Sequence, residues 1–203
     1  MATMSPSRPP VFNLPNQLTA ARLVLGLVLF GLIALGWWIA CIVVFAVAAT
    51  TDWLDGYLAR KQGLTSTLGR NLDPLVDKVL ICGAYIFLLP LGSAEGERWL
   101  LPWMVTVVVA RELIITSLRS FIENRGGAFG ADWLGKLKMG LQCAGLFAAF
   151  AYLHGSAADY ATPFVGYLAA ARDGLIYAML ASTALSGTQY LLRAVQLLQV
   201  DPQ

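Results

Sequence analysis

Asp52-Trp53-Leu54-Asp55-Gly56-Tyr57-Leu58-Ala59-Arg60 is followed, after eight intervening residues, by Gly69-Arg70-Asn71-Leu72-Asp73-Pro74-Leu75-Val76-Asp77. Four carboxylates therefore fall within 26 positions of a 203-residue chain that is 58% hydrophobic and only 13% charged. Soluble domains carry about 25% charged residues, whereas the mean hydropathy here is +0.66. Apolar runs near the ~20 residues that cross ~30 Å of hydrocarbon recur along the chain. An integral membrane protein is expected. At the centre of a membrane helix one isolated carboxylate costs roughly 2.5–3.5 kcal/mol. Four of them need a shared neutralising partner, and divalent cations are the natural candidate.

The spacing supports that reading. In a helix, Asp52, Asp55, Gly56 and Ala59 stand at i, i+3, i+4 and i+7, on one face. Asp73 and Asp77, at i and i+4, also share a face, with Gly69 one turn earlier. A turn around Gly63 would let the two helices fold back antiparallel, so that the pairs meet. Such a pocket offers oxygen ligands only, which suits Mg²⁺ or Mn²⁺ rather than zinc. Four carboxylates exceed the charge of one divalent ion, which favours two ions, the arrangement that clamps attacking and leaving oxygens in phosphoryl transfer. The small residues allow a ligand close to the backbone, and Arg60 offers a fork suited to phosphate. Two other readings stay open at this point: intramembrane ion pairs with Arg60, Arg70 and Lys78, and an acidic path in a cation transporter.

Working outward, hydropathy divides the chain into six runs: 18–36, 37–55, 76–91, 99–121, 133–153 and 169–191. Breaks fall at Gly36, Gly63-Leu64-Thr65-Ser66, Gly92-Ser93-Ala94-Glu95-Gly96-Glu97, Gly126-Gly127 and Gly155-Ser156-Ala157-Ala158-Asp159. The expectation is an all-α six-helix membrane bundle. Residues 1–12 read as a disordered lead-in, 13–198 as a single membrane domain and 199–203 as a tail. With six spans, Arg8, Arg22, Arg60, Lys61, Arg70, Lys78, Arg111, Arg119, Arg125, Lys136, Lys138 and Arg193 share one side, leaving only Arg98 and Arg172 opposite. Twelve against two puts both termini and the carboxylates in the cytoplasm; the membrane expected is a bacterial inner one. Cys41, Cys82 and Cys143 lie inside apolar runs without metal-ligand spacing and read as packing residues.

The pattern Asp52-x-x-Asp55-Gly56-x-x-Ala59-Arg60, eight residues, Gly69-x-x-x-Asp73-x-x-x-Asp77 resembles the signature of the CDP-alcohol phosphatidyltransferase family at all eight defining positions. The resemblance implies six transmembrane helices, usually in a homodimer, with a cytoplasm-facing polar cavity. It also implies attack of an alcohol on the lipid-linked phosphorus of a CDP-alcohol, with release of CMP. Carried over by position, Asp52, Asp55, Asp73 and Asp77 are metal ligands for two Mg²⁺ or Mn²⁺ ions, and Asp77 is also the general base. Asp55, Gly56, Ala59, Arg60, Gly69 and Asp73 would hold the cytidine diphosphate moiety. A transporter would instead want acidic residues spread over several spans, whereas these belong to two adjacent segments near one face.

Three looser stretches resemble the phosphatidylglycerophosphate-synthase subfamily: residues 13–22, residues 110–119, and Trp133-Leu134-Gly135-Lys136-Leu137-Lys138. They imply CDP-diacylglycerol as donor and glycerol 3-phosphate as acceptor. A dianionic phosphate needs cations. Arg111 and Arg119, eight residues apart and about 80° around a helix, would line the pocket; Lys136 would complete it, with Thr19 and Arg22 as further candidates. An arginine within an apolar run must face a cavity or a partner, and for Arg111 pairing with Glu112 or Asp77 is the structural alternative. Met139 departs from the hydroxyl residue common at that position. Inositol phosphate is the competing acceptor, with serine or a second phosphatidylglycerol further behind; no nucleic-acid partner is expected. His154 reads as an interfacial polar residue on the far side, and Trp37, Trp38, Trp99, Trp103 and Trp133 as interfacial anchors. Trp53 reads as a packing residue, and Gly126-Gly127 as a linker rather than a phosphate loop.

Overall fold

Among the described residues six helices follow in order: α1 Leu14–Leu35, α2 Trp38–Gln62, α3 Thr67–Gly92, α4 Pro102–Asn124, α5 Trp133–Ala157 and α6 Thr162–Gln199. The computed structural model describes the backbone of residues 14–62, 67–94, 96, 98–124 and 133–199. Side chains are described for residues 17, 19–51, 75–94, 96, 98–122 and 133–195. No strand occurs among the described residues, as the all-α expectation requires. The lead-in, the Gly63 turn and the Gly126-Gly127 linker lie outside them. Each expected apolar run coincides with one helix, but α3 begins at residue 67 rather than 76, and α6 runs through 162–199 rather than 169–191. Backbone hydrogen bonding continues past the point where hydrocarbon stops, so hydropathy underestimates helix length.

The turn between α1 and α2 follows from one glycine. Gly36 takes φ +71, its N–H reaches Ile33 O at 3.1 Å, and Trp37 N–H reaches Leu32 O at 3.0 Å. Both bonds together are the Schellman closure, which caps the last carbonyls of α1 and reverses the chain within two residues. The same closure ends α5, with Tyr160 N–H on Gly155 O at 3.1 Å, but here Asp159 occupies the left-handed position at φ 54. Pro102 opens α4 where its missing N–H would have had no helical partner.

α1 packs against both α2 and α3, α5 against α2, α3 and α6, and α4 against α3 and α6. The buried face of α1 is Thr19, Arg22, Gly26, Leu29 and Ile33, a repeat of three and four residues that forms one seam. α1 and α3 run parallel along it. Arg22 meets Asp77; a Cβ on Gly26 would lie 3.3 Å from Leu80; and one on Gly83 would lie 2.2 Å from Phe30. Leu29, Phe45, Leu88, Leu146, Phe150 and Met179 fill the core.

Two helical stretches, Leu75–Gly92 and Thr162–Val195, are long and apolar enough to cross a membrane, and Thr19–Leu35 and Trp38–Thr51 are shorter apolar helices. Trp37, Trp103 and Trp133 are exposed, consistent with anchors, but Trp99 is not. It is 5% exposed, with the Arg172 guanidinium 4.6 Å above its ring and 3.9 Å from that of Tyr152. The interfacial reading of Trp99 is therefore corrected: a cation–π stack with Arg172 draws the indole inward. His154 lies half-buried at the α5–α6 turn, with Nε2 3.2 Å from Tyr160 Oη.

Candidate active site

Arg22 interrupts the otherwise small or apolar seam of α1. It is 1% exposed, and its Nη1 donates to Asp77 Oδ1 at 2.7 Å across the α1–α3 interface. The Asp77 side chain keeps 22% exposure, so the carboxylate is oriented from behind while one side stays open. Thr19 is buried one turn before Arg22.

A second cluster is built on α4, α5 and α6. Glu112 is 6% exposed, and its Oε1 accepts from Lys138 Nζ on α5 and, at 3.2 Å, from Arg111 Nη1. Arg111 Nη2 donates to Ser186 Oγ on α6 at 3.0 Å. The arginine stem passes close to α6 at Gly187, where a Cβ would lie 3.4 Å from Arg111 Cγ. Its guanidinium carbon lies 5.6 Å from the Tyr190 ring centroid. Lys78, next to Asp77 on α3, is half-buried and within electrostatic reach of both Asp77 and Glu112. Arg119 is half-buried two turns further along α4. Arg22, Lys78, Arg111 and Lys138 against Asp77 and Glu112 make four cations to two carboxylates, a net +2 among these described groups. Buried charge of this density is retained where a site needs it, because each unpaired ion is expensive to desolvate.

Asp52, Asp55, Gly56, Ala59 and Arg60 fall within α2, and Gly69 and Asp73 within α3. The helical spacing expected for both halves of the signature is therefore present in the backbone; of its side chains only that of Asp77 is described. No group of three or more metal-ligating side chains occurs among the described residues.

Residues 12–186 match the family model of CDP-alcohol phosphatidyltransferases. The chain belongs to the CDP-alcohol phosphatidyltransferase family. It is similar to the CDP-diacylglycerol--glycerol-3-phosphate 3-phosphatidyltransferase of Bacillus subtilis, 38% identical over 144 residues that cover 63% of this chain and 71% of that protein. The protein of the same name from Blochmanniella floridana is 33% identical over 71% of this chain and 76% of its own length. That of Escherichia coli K12 is 34% identical over 66% and 75%.

Within this phosphatidyltransferase the expected acceptor residues separate. Thr19, Arg22 and Arg111 are drawn into the buried polar region, whereas Lys136 is exposed and the inward lysine is Lys138, 5% exposed. Two residues apart on a helix means about 200° apart, so the two lysines cannot share a face. The signal was available: Gln142, Leu146 and Ala149 form the buried stripe of α5, and stepping one turn back from Gln142 lands on Lys138. Arg111 makes the contact with Glu112 that its structural alternative required, and also binds Ser186. Glu112 was expected only as the alternative partner of Arg111, and Ser186 not at all, since a lone glutamate beside an arginine and a serine in an apolar run carry no spacing signature.

Proposed function

We propose that the chain transfers the phosphatidyl group of CDP-diacylglycerol to glycerol 3-phosphate, giving phosphatidylglycerophosphate and CMP. The observation that carries this reading is Asp77, braced by a buried arginine and bordered by described groups whose charges sum to +2, which suits a dianionic phosphate beside a base. The names of the relatives support the same donor and acceptor.

Arg111, Lys138 and Arg119 bind the acceptor phosphate, with Thr19 and Arg22 at its edge. That contact holds the acceptor hydroxyl toward the lipid-side phosphorus, which lowers the barrier chiefly by orientation. Asp77 takes the hydroxyl proton as the new phosphorus–oxygen bond forms; the bond to CMP breaks and its electron pair leaves with CMP. Arg22 keeps the Asp77 carboxylate turned to the acceptor. Gly56, Ala59, Arg60 and Gly69 hold the cytidine diphosphate moiety. Asp52, Asp55, Asp73 and Asp77 would hold two Mg²⁺ or Mn²⁺ ions: a hard-oxygen donor set at i, i+3 on α2 and i, i+4 on α3 fits them. Bound there, the ions would offset the pyrophosphate charge and stabilise departing CMP.

All six helices are proposed to span a bacterial inner membrane, with termini and site cytoplasmic and the chain paired as a homodimer. At 22 residues even α1, the shortest, reaches about 33 Å at 1.5 Å per residue. Its outward face, Leu23, Val24, Leu27 and Val28, is exposed hydrocarbon while its inward face carries Thr19 and Arg22, the reverse of a water-soluble helix. The test is CMP release by purified protein in detergent with Mg²⁺ or Mn²⁺, comparing glycerol 3-phosphate, inositol phosphate, serine and no acceptor. Turnover with glycerol 3-phosphate that is lost in Asp77→Asn supports the reading; turnover only with another alcohol overturns the acceptor.

A further inference from the structure

We propose that Glu112 is a positioning residue that sets the charge and the spread of the acceptor pocket. The inference rests on the activity proposed above and deepens it. One carboxylate oxygen, Glu112 Oε1, receives both Lys138 Nζ from α5 and Arg111 Nη1 from α4, while the other end of Arg111 is held by Ser186 on α6. A single acidic group thus fixes the separation of Arg111 and Lys138, two of the cations that meet the phosphate. It also trims their charge. Lys78, Arg111 and Lys138 carry three positive charges around Glu112, and its carboxylate lowers the sum of these four groups to +2, nearer the charge of a phosphomonoester dianion. At 6% exposure, water screens this effect little. Without Glu112 the pocket would bind the dianion more tightly in a less defined position. Because the product retains that phosphomonoester, its release would slow as well.

The test is steady-state kinetics of CMP release, with both substrates varied, for wild type, Glu112→Gln, Glu112→Asp, Lys138→Gln and the Glu112→Gln, Lys138→Gln double variant. In Glu112→Gln, KM for glycerol 3-phosphate is expected to fall about five- to tenfold and kcat about tenfold, with KM for CDP-diacylglycerol unchanged. Inorganic sulfate, a dianion, should inhibit this variant more strongly than wild type in the same proportion. Lys138→Gln should raise KM for glycerol 3-phosphate. The double variant, back at +2, should return that KM toward wild type while kcat stays low. Glu112→Asp should keep the wild-type KM and recover part of kcat. If Glu112→Gln does not elute as a single folded species, the comparison of Glu112→Asp with Lys138→Gln decides. Equal effects on both substrates' KM values, or an unchanged KM for glycerol 3-phosphate in Glu112→Gln and Lys138→Gln, would overturn the proposal. A wild type that releases no CMP with glycerol 3-phosphate overturns the activity itself, and this assignment with it.

Discussion

Gly83→Ala tests whether the α1–α3 seam sets the geometry of the base. An added Cβ would stand 2.2 Å from Phe30 Cζ and 2.7 Å from Cε1. Ordinary carbon contact is about 3.5–4.0 Å, so the ring or the helix must give by more than an ångström. To swing away Phe30 must leave its stack on Phe87, whose centroid lies 4.9 Å from its own with the planes 10° apart. Alanine in place of glycine favours the helix by about 1 kcal/mol, and overpacking opposes it by about 1–3 kcal/mol; with a contact this short the clash wins. The parallel register then transmits the shift. Asp77 lies six residues before Gly83 and Arg22 eight before Phe30, so one displacement of α1 reaches the 2.7 Å Arg22–Asp77 bond. A movement of about 1 Å there exceeds hydrogen-bond range. Gly83→Ala should lower kcat about tenfold and the melting midpoint in detergent, and Phe30→Leu in the same chain should restore both. A Gly83→Ala protein as active and as stable as wild type would refute the reasoning. So would a defect that Phe30→Leu leaves untouched.

Four further outcomes are expected. Arg22→Met removes the counter-ion that Arg22 supplies to Asp77 and should destabilise the protein by about 2–4 kcal/mol, at or below the usual range for a fully buried pair because Asp77 is partly open; detergent melting of this variant against wild type measures it. Lys136→Ala should change KM for glycerol 3-phosphate less than about twofold, since an exposed charge at that position is screened; a change as large as that of Lys138→Gln would return Lys136 to the pocket. Asp159→Gly should raise stability by about 0.5–1 kcal/mol by relieving a left-handed non-glycine residue, with kcat unchanged, as a melting curve and the CMP assay would show. Removal of divalent cations with EDTA should abolish CMP release, and Mg²⁺ or Mn²⁺ added back should restore it; activity that persists in EDTA would refute the role given to Asp52, Asp55 and Asp73.

Six helices, their order, the carboxylate signature and the family it marks are all legible in the amino-acid sequence alone, because each rests on a local signal: a run of hydrocarbon, a glycine turn, or fixed spacing within one helix. Gly36 is an example, since the Schellman closure involves only residues 32–37. The acceptor pocket is legible only in part. Arg111 announces itself as a charge inside an apolar run, and its neighbour Glu112 stands beside it as the alternative. That Glu112 also gathers Lys138 from 26 residues away, and that Arg111 reaches Ser186 from 75, depends on helix rotation and on which helices touch. Trp99 turns inward for the same reason, its partner Arg172 being 73 positions distant in the chain. The choice between Lys136 and Lys138 lies between the two cases: the periodicity of α5 contains it, but only the packing of α5 against α2, α3 and α6 gives that periodicity a direction. Local chemistry thus determines the elements and the reaction class. The tertiary structure decides which charges meet, because meeting requires distance in space, and spacing along the chain defines distance only within a single helix.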